Sequence, residues 1–248
     1  MEIIGGLIAG GFIGAVLGFI GAGGAMLSVP ILLYIFGFTP QAATTAAIAV
    51  VFTAAVSGLL PKIKSKEVLF KEAFVIWALG LVANVGFSII AHRLSDEVIT
   101  TGFAIVLLSA GTAMLIKPVA GTEKKIPLFW LVVISLVIGS MTGLFGIGGG
   151  FLAVPVLVLF FKNPQGKAAG TSLAIIALNS ITAFFGHFQN WSEVTWTVPI
   201  TMSVAAILIA RLASIKSGQM NQEILRKSFA GLLYSIAVFS LLQTWAIA

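Results

Sequence analysis

The chain has 248 residues, of which 59% are hydrophobic and 9% charged, with a mean hydropathy of +1.12 and a formal net charge of +6. Water-soluble domains carry about 25% charged residues, so this composition excludes a soluble globular protein and describes one whose surface faces lipid. Cysteine is absent, which excludes disulfides, thiolate metal sites and cysteine catalysis, and the basic residues fall in short loops between apolar runs, where membrane topology explains them better than nucleic-acid binding does.

Ten apolar segments are predicted, in chain order, at residues 3–20, 25–36, 41–60, 73–92, 98–116, 128–145, 151–161, 165–187, 195–213 and 226–246. The first lacks the basic n-region that opens a signal peptide, so it is read as a permanent membrane segment. A helix needs roughly 20 apolar residues to cross the hydrocarbon core. Segments 25–36 and 151–161 fall short of that, and each follows a glycine cluster: Gly21, Gly23 and Gly24 before the first, Gly146, Gly148, Gly149 and Gly150 before the second. Short apolar segments behind glycine clusters are the pattern of discontinuous or re-entrant helices.

The two halves repeat. GFIGAGGAMLSVPILL from Gly18 matches GLFGIGGGFLAVPVLV from Gly143, with Gly18, Gly21, Gly23, Gly24 and Pro30 falling on Gly143, Gly146, Gly148, Gly149 and Pro155 at a constant offset of 125. ATTA from Ala43 matches AGTS from Ala169, and LSDE from Leu94 matches MNQE from Met220, both at an offset of 126. Residues 1–120 and 121–248 are therefore read as two repeats of five segments each, within one membrane domain. An odd number of segments turns the second copy upside down. The expected architecture is an all-α polytopic membrane protein with two inverted-topology repeats.

Charge agrees with this parity. Alternating the loops places Lys62, Lys64, Lys66, Lys71, Lys117, Lys124, Lys125, Lys162, Lys167, Arg211, Lys216, Arg226 and Lys227 on one side, 13 of the 14 Lys and Arg, and leaves Arg93 alone on the other. By the positive-inside rule the basic loops face the cytoplasm and both termini lie outside the plasma (inner) membrane.

A helix broken in hydrocarbon strands backbone polar groups, so the break must be buried in protein or line a wet cavity. A helix restarting behind it presents free N–H groups and partial positive charge, which suit an anion. Gly21, Gly23, Gly24, Gly146, Gly148, Gly149 and Gly150 are thus candidate substrate-binding residues at paired breaks near the bilayer midplane. Close helix packing is the competing role for the same glycines. No Lys-Ser/Thr follows them, as a nucleotide phosphate loop requires.

Thr45, Thr171 and Ser172 offer hydroxyl groups beside the breaks, or bond to their own helix backbone. Asn179 is read toward the site. Asn84 is read toward packing, because Gly80, Asn84 and Ser88 form a small-residue face that Ala206, Ala210 and Ser214 repeat. These faces suit a homodimer and packing within one chain alike. His187 is read as interfacial rather than as a proton relay, Arg211 as snorkelling to the interface, and Trp130, Trp191, Trp196 and Trp245 as interfacial anchors. His92 and His187 form no metal-ligand motif, and the segments hold no triad or carboxylate pair. No catalytic residue, metal or cofactor is therefore assigned, and no enzyme is expected. No acidic residue is placed within a span to carry a coupling ion.

The paired motifs G-x-x-G-x-G-G-G-x-x-x-x-P and A-G-T-S resemble those of the TauE/SafE sulfite-exporter family of membrane transporters, over nearly the whole chain. The second half matches best, with Gly146, Gly148, Gly149, Gly150, Pro155, Gly170, Thr171 and Ser172. The first half departs from it, with Ala25 in place of a third glycine and Thr44-Thr45-Ala46 where G-T-S is usual. The resemblance implies export of sulfite or a small organosulfur anion. The function expected is a secondary transporter or exporter of a small oxyanion such as sulfite or an organosulfonate. A passive anion channel of the same architecture is the alternative.

Overall fold

Helix ends are set by local chemistry. Thr39, in an extended conformation, accepts a hydrogen bond from the Ala42 N–H and precedes Pro40 at the first helical position, so the helix that follows starts with a cap and a preset φ. The computed structural model describes residues 2–91, 95–116, 127–145, 150–159 and 161–245. Among them it forms ten α-helices and no strand: α1 (Glu2–Ile20), α2 (Gly24–Pro30), α3 (Pro40–Lys64), α4 (Phe70–Ala91), α5 (Asp96–Ile116), α6 (Leu128–Phe145), α7 (Gly150–Leu159), α8 (Gln165–Gly186), α9 (Thr197–Ser217) and α10 (Gln222–Trp245). Each apolar segment becomes a helix, its ends within four residues of expectation once the π-helical turn Ile31–Ile35 that continues α2 is counted with it. The largest extensions have simple causes. Pro61 sits in the last turn of α3, where its missing N–H costs a single bond, and Asn221 caps the start of α10 by accepting the Glu223 N–H at 2.8 Å.

Among the described residues seven helices are long and apolar enough to cross a membrane: α1, α3, α4, α5, α8, α9 and α10. Large apolar side chains such as Ile8, Phe74, Val82, Phe129, Leu208 and Leu242 are exposed on the outside of the bundle. Water does not tolerate such a surface, whereas lipid matches it. The chain is a multi-pass, all-α membrane protein.

Small residues decide which helices pair. Gly6, Gly10, Gly14 and Gly18 recur every fourth position along α1 and face Thr201, Met202, Ala206 and Ala210 of α9. A Cβ on Gly10 would lie 2.1 Å from the Met202 carbonyl oxygen, so the two backbones touch. On the other side of the bundle Gly139 of α6 meets Gly80 of α4, where a Cβ would lie 2.3 Å from the Gly80 oxygen. By the repeat offsets Gly14 corresponds to Gly139 and Ala206 to Gly80, so the same contact occurs twice. Of the small-residue faces noted in the sequence, Gly80, Ala206, Ala210 and Ser214 pack within the chain.

The central helices α3 and α8 pack side by side, α5 packs on α10, and the short α2 and α7 lie against α3 and α8 respectively. α3 and α8 are antiparallel: the start of α3 meets the end of α8 at Thr45 and His187, and the residues after α3 meet the start of α8 at Leu69 and Thr171.

The two outer pairs are held unequally. Ser57 donates to the Ile207 oxygen at 2.6 Å and Ser214 to the Gly58 oxygen at 2.7 Å, tying α3 to α9. At the positions equivalent to Ser57 and Gly58, α8 carries Ala183 and Phe184, and its seam with α4 is much smaller than that between α3 and α9. Accordingly 17% of Phe70–Phe87 in α4 is buried, against 44% of α9.

Candidate functional site

The first break is real. α1 stops at Ile20, and α2 restarts at Gly24. Between them Gly21 and Gly23 take φ of +76° and +88°, left-handed values that a side chain disfavours. The break is sealed in protein: a Cβ on Gly21 would lie 2.6 Å from Ala169 of α8, and one on Gly24 the same distance from Leu17. After Pro30 the helix widens into a π-helical turn, Ile31–Ile35, in which the Phe36 N–H reaches the Ile31 oxygen at 3.3 Å.

Both short helices end alike. Gly37 at φ +68° precedes a bond from the Phe38 N–H to the Leu32 oxygen, and Lys162 at φ +55° precedes one from the Asn163 N–H to the Leu157 oxygen, each pair 125 residues from its counterpart. In the second half α6 stops at Phe145 and α7 starts at Gly150, with Pro155 carried inside α7. Gly146, Gly148 and Gly149 lie outside the described residues.

Thr45, Thr171 and Ser172 are all fully buried. The first two donate their hydroxyl protons to their own helices, at Gln41 and Lys167, both at 2.8 Å. Their oxygens then accept across the bundle. Thr171 takes the Leu69 N–H at 3.0 Å, and Thr45 meets His187 Nδ1 at 3.1 Å. Equivalent threonines thus tie α3 to the end of α8 and α8 to the connection after α3, at opposite ends of the bundle. His187 is part of the second tie. Around it Trp191 stacks on Phe184 at 4.5 Å, and its carbonyl accepts the Trp196 indole N–H. Arg211 is exposed on the side of α9, as snorkelling requires.

Asn179 shares one face of α8 with Thr171 and Ile175 at four-residue spacing. It lines a cavity between α4, α6 and α8 of about 10 Å³, room for the centre of about one water molecule. Ile76, Ile138 and Ile175 wall this cavity, the Gly80–Gly139 contact borders it, and Asn84 and Thr142 supply the remaining polar groups. Asn84 therefore departs from its packing assignment. Gly80 does the packing, and Asn84, one turn on, faces the cavity. Thr142 was not singled out by the sequence, and it donates to the Ile138 oxygen at 2.7 Å. Neither asparagine has a hydrogen-bond partner among the described residues.

No charged group lines the cavity. The buried charge lies instead at the end of the bundle where α3 stops. Lys62, only 1% exposed, pairs with Glu67 at 2.8 Å, and Glu67 also lies against Gly166 at the start of α8. Lys62, read from the sequence as part of a short basic loop, is thus a buried residue in the last turn of α3. Gln222 accepts the Gly166 N–H, so the basic segments after α3, before α8 and before α10 share one end of the bundle.

The profile of the sulfite exporter TauE/SafE family matches residues 6–240. A "probable membrane transporter protein" of Xylella fastidiosa (strain Temecula1) is 26% identical over 96% of this chain and 94% of its own length. One of Methanocaldococcus jannaschii is 27% identical over 95% and 94%, and the Bacillus subtilis protein YunE, described in the same words, is 26% identical over 87% of each. No solved structure matches.

Proposed function

The chain belongs to the TauE/SafE sulfite exporter family, a family of membrane transporters rather than enzymes, and on that premise we propose that it is a secondary transporter exporting a small oxyanion such as sulfite or an organosulfonate. The observation that carries this reading is the pair of threonine ties. One joins Thr45 near the start of α3 to His187 at the end of α8, the other joins Thr171 near the start of α8 to Leu69 in the connection that follows α3, one tie at each end of the bundle. A carrier that alternates access opens one end while the other stays shut, and inverted repeats supply the two equivalent closures. The exchange-symmetric glycine contacts and the matching turns after α2 and α7 support an inverted repeat.

In this reading the substrate passes the glycine breaks near the midplane, with Gly21, Gly23, Gly24, Gly146, Gly148, Gly149, Gly150, Thr45, Thr171, Ser172 and Asn179 about its path. The basic end faces the cytoplasm, and the membrane potential drives the anion out of a negative interior.

The test is uptake of radiolabelled sulfite by proteoliposomes containing the purified chain. Saturable uptake with counterflow, inhibited by excess sulfonate or thiosulfate, is expected. Unsaturable conductance would instead identify a passive anion channel. Gly149→Val is expected to abolish uptake in protein that still inserts, and wild-type rates in that variant would remove the glycines from the path.

A further inference from the structure

We propose that the cavity between α4, α6 and α8 is a one-sided substrate site, in which the carboxamides of Asn84 and Asn179 bind a small, singly charged oxyanion; this rests on the anion transport proposed above. Both carboxamides are half-buried on membrane helices and line one cavity, where a polar group without a protein partner is costly to keep. Together they bring four N–H donors to one spot. The Thr142 proton is committed to Ile138, which leaves the donors to the amides.

The repeat provides an internal control. By the offsets, Asn84, Asn179 and Thr142 correspond to Ala210, Thr53 and Leu17. On that side the equivalent space among α1, α3 and α9 is filled: Ile13, Leu17, Met202, Ala206 and Ala210 are each 0% exposed. There the two carboxamides and Thr142 are replaced by Ala210, Leu17 and a Thr53 whose hydroxyl is bonded to its own helix at Val50. The polar set occurs once, on the half where the seam between α8 and α4 is small.

The lining also selects charge. Carboxamide dipoles can replace the hydration of one negative charge, but no cation is present to offset the desolvation of a second. The lining matches the single charge of a hydrogen sulfite or sulfonate and not the double charge of sulfate. The cavity has room for about one water, so an oxyanion enters it only if the helices around it part. Loading separates α4 and α6 from α8.

The experiment uses the purified chain in detergent, heated with sodium methanesulfonate or sodium sulfate, oxyanions of comparable size and different charge, alongside proteoliposome sulfite uptake. Methanesulfonate is expected to raise the wild-type Tm and sulfate to leave it unchanged. Asn84→Ala and Asn179→Thr, which install the residues of the other repeat, are expected to lose the methanesulfonate effect. They should also lower kcat/KM for sulfite about tenfold or more, the loss of one hydrogen bond to a charged group. Thr53→Ala is expected to leave both readings unchanged. Should Asn179→Thr not fold, Asn179→Asp keeps the shape, removes the donors and is expected to lose the methanesulfonate effect likewise. Wild-type uptake with unaltered kinetics in the asparagine variants overturns the site and leaves the transporter standing. Methanesulfonate stabilisation abolished by both variants, with no sulfite uptake by wild type, supports the site and overturns the sulfite reading. No response of the wild type to either anion, or an equal response to sulfate, overturns the proposal.

Discussion

Gly21 combines a left-handed backbone with contact against the Ala169 main chain. A left-handed alanine costs about 1–2 kcal/mol, and a backbone neighbour has nowhere to move. Gly21→Ala is therefore expected to destabilise by more than about 3 kcal/mol, seen as a large fall in Tm in detergent. Gly86→Ala, where a Cβ meets open space, should melt at or slightly above the wild-type temperature. Lys62 offers a second single-residue test. Removing one member of a buried pair strands the other, at about 3–5 kcal/mol when both are fully buried. Glu67 is 27% exposed, which reduces the expectation for Lys62→Met to about 2 kcal/mol. The double variant Lys62→Met/Glu67→Gln should recover most of that loss, and a double variant no better than the single one would mean the pair is not the cause. At this scale the sequence was least legible. Lys62 sits among other lysines and looks solvated, and Asn84 sits in a small-residue spacing that looks like packing. The informative comparison was between repeats: Asn84 over Ala210, Thr142 over Leu17.

Among the helices, the segments and the first break were readable, because lipid demands long apolar runs and a glycine cluster interrupts them. The partners of each helix were not. In a chain apolar on every side, a glycine stripe such as Gly6 to Gly18 does not announce which helix it meets, since periodicity distinguishes core from water and here there is no water-facing side. Once α9 is known as that partner, its attachment can be tested. Ser57→Ala and Ser214→Ala each remove an interhelical hydrogen bond worth about 0.6–2 kcal/mol in a membrane. Each should lower Tm by a few degrees and leave the KM for substrate unchanged. An altered KM would place the α3–α9 seam in the transport path.

Over the whole molecule, one outer pair is bolted down and the other is not. Hydrogen bonds and a long seam hold α1 and α9 to α3, while α4 and α6 hold tightly to each other and loosely to α8. Under the proposed alternating access, α4 and α6 are the helices that move together. The cysteine-free chain suits paired spin labels. With thioether-linked labels, which sulfite does not cleave, Val82→Cys with Thr182→Cys should report a distance change when sulfite is added, and Leu208→Cys with Val56→Cys, the equivalent positions on α9 and α3, should not. Movement of the second pair with a static first pair would reverse the assignment.

The glycine seam of α1 also bears on how the protein is made. Its partner α9 is encoded near the other end of the chain, with Gly14 and Ala206 separated by 192 positions. At 5–20 residues per second of synthesis, α1 waits on the order of 10–40 s in the bilayer before its partner exists. During that interval its glycine face has only lipid or the insertion machinery against it, so a ribosome stalled before α9 would release a chain whose first helix has nothing to dock on and which quality control should destroy.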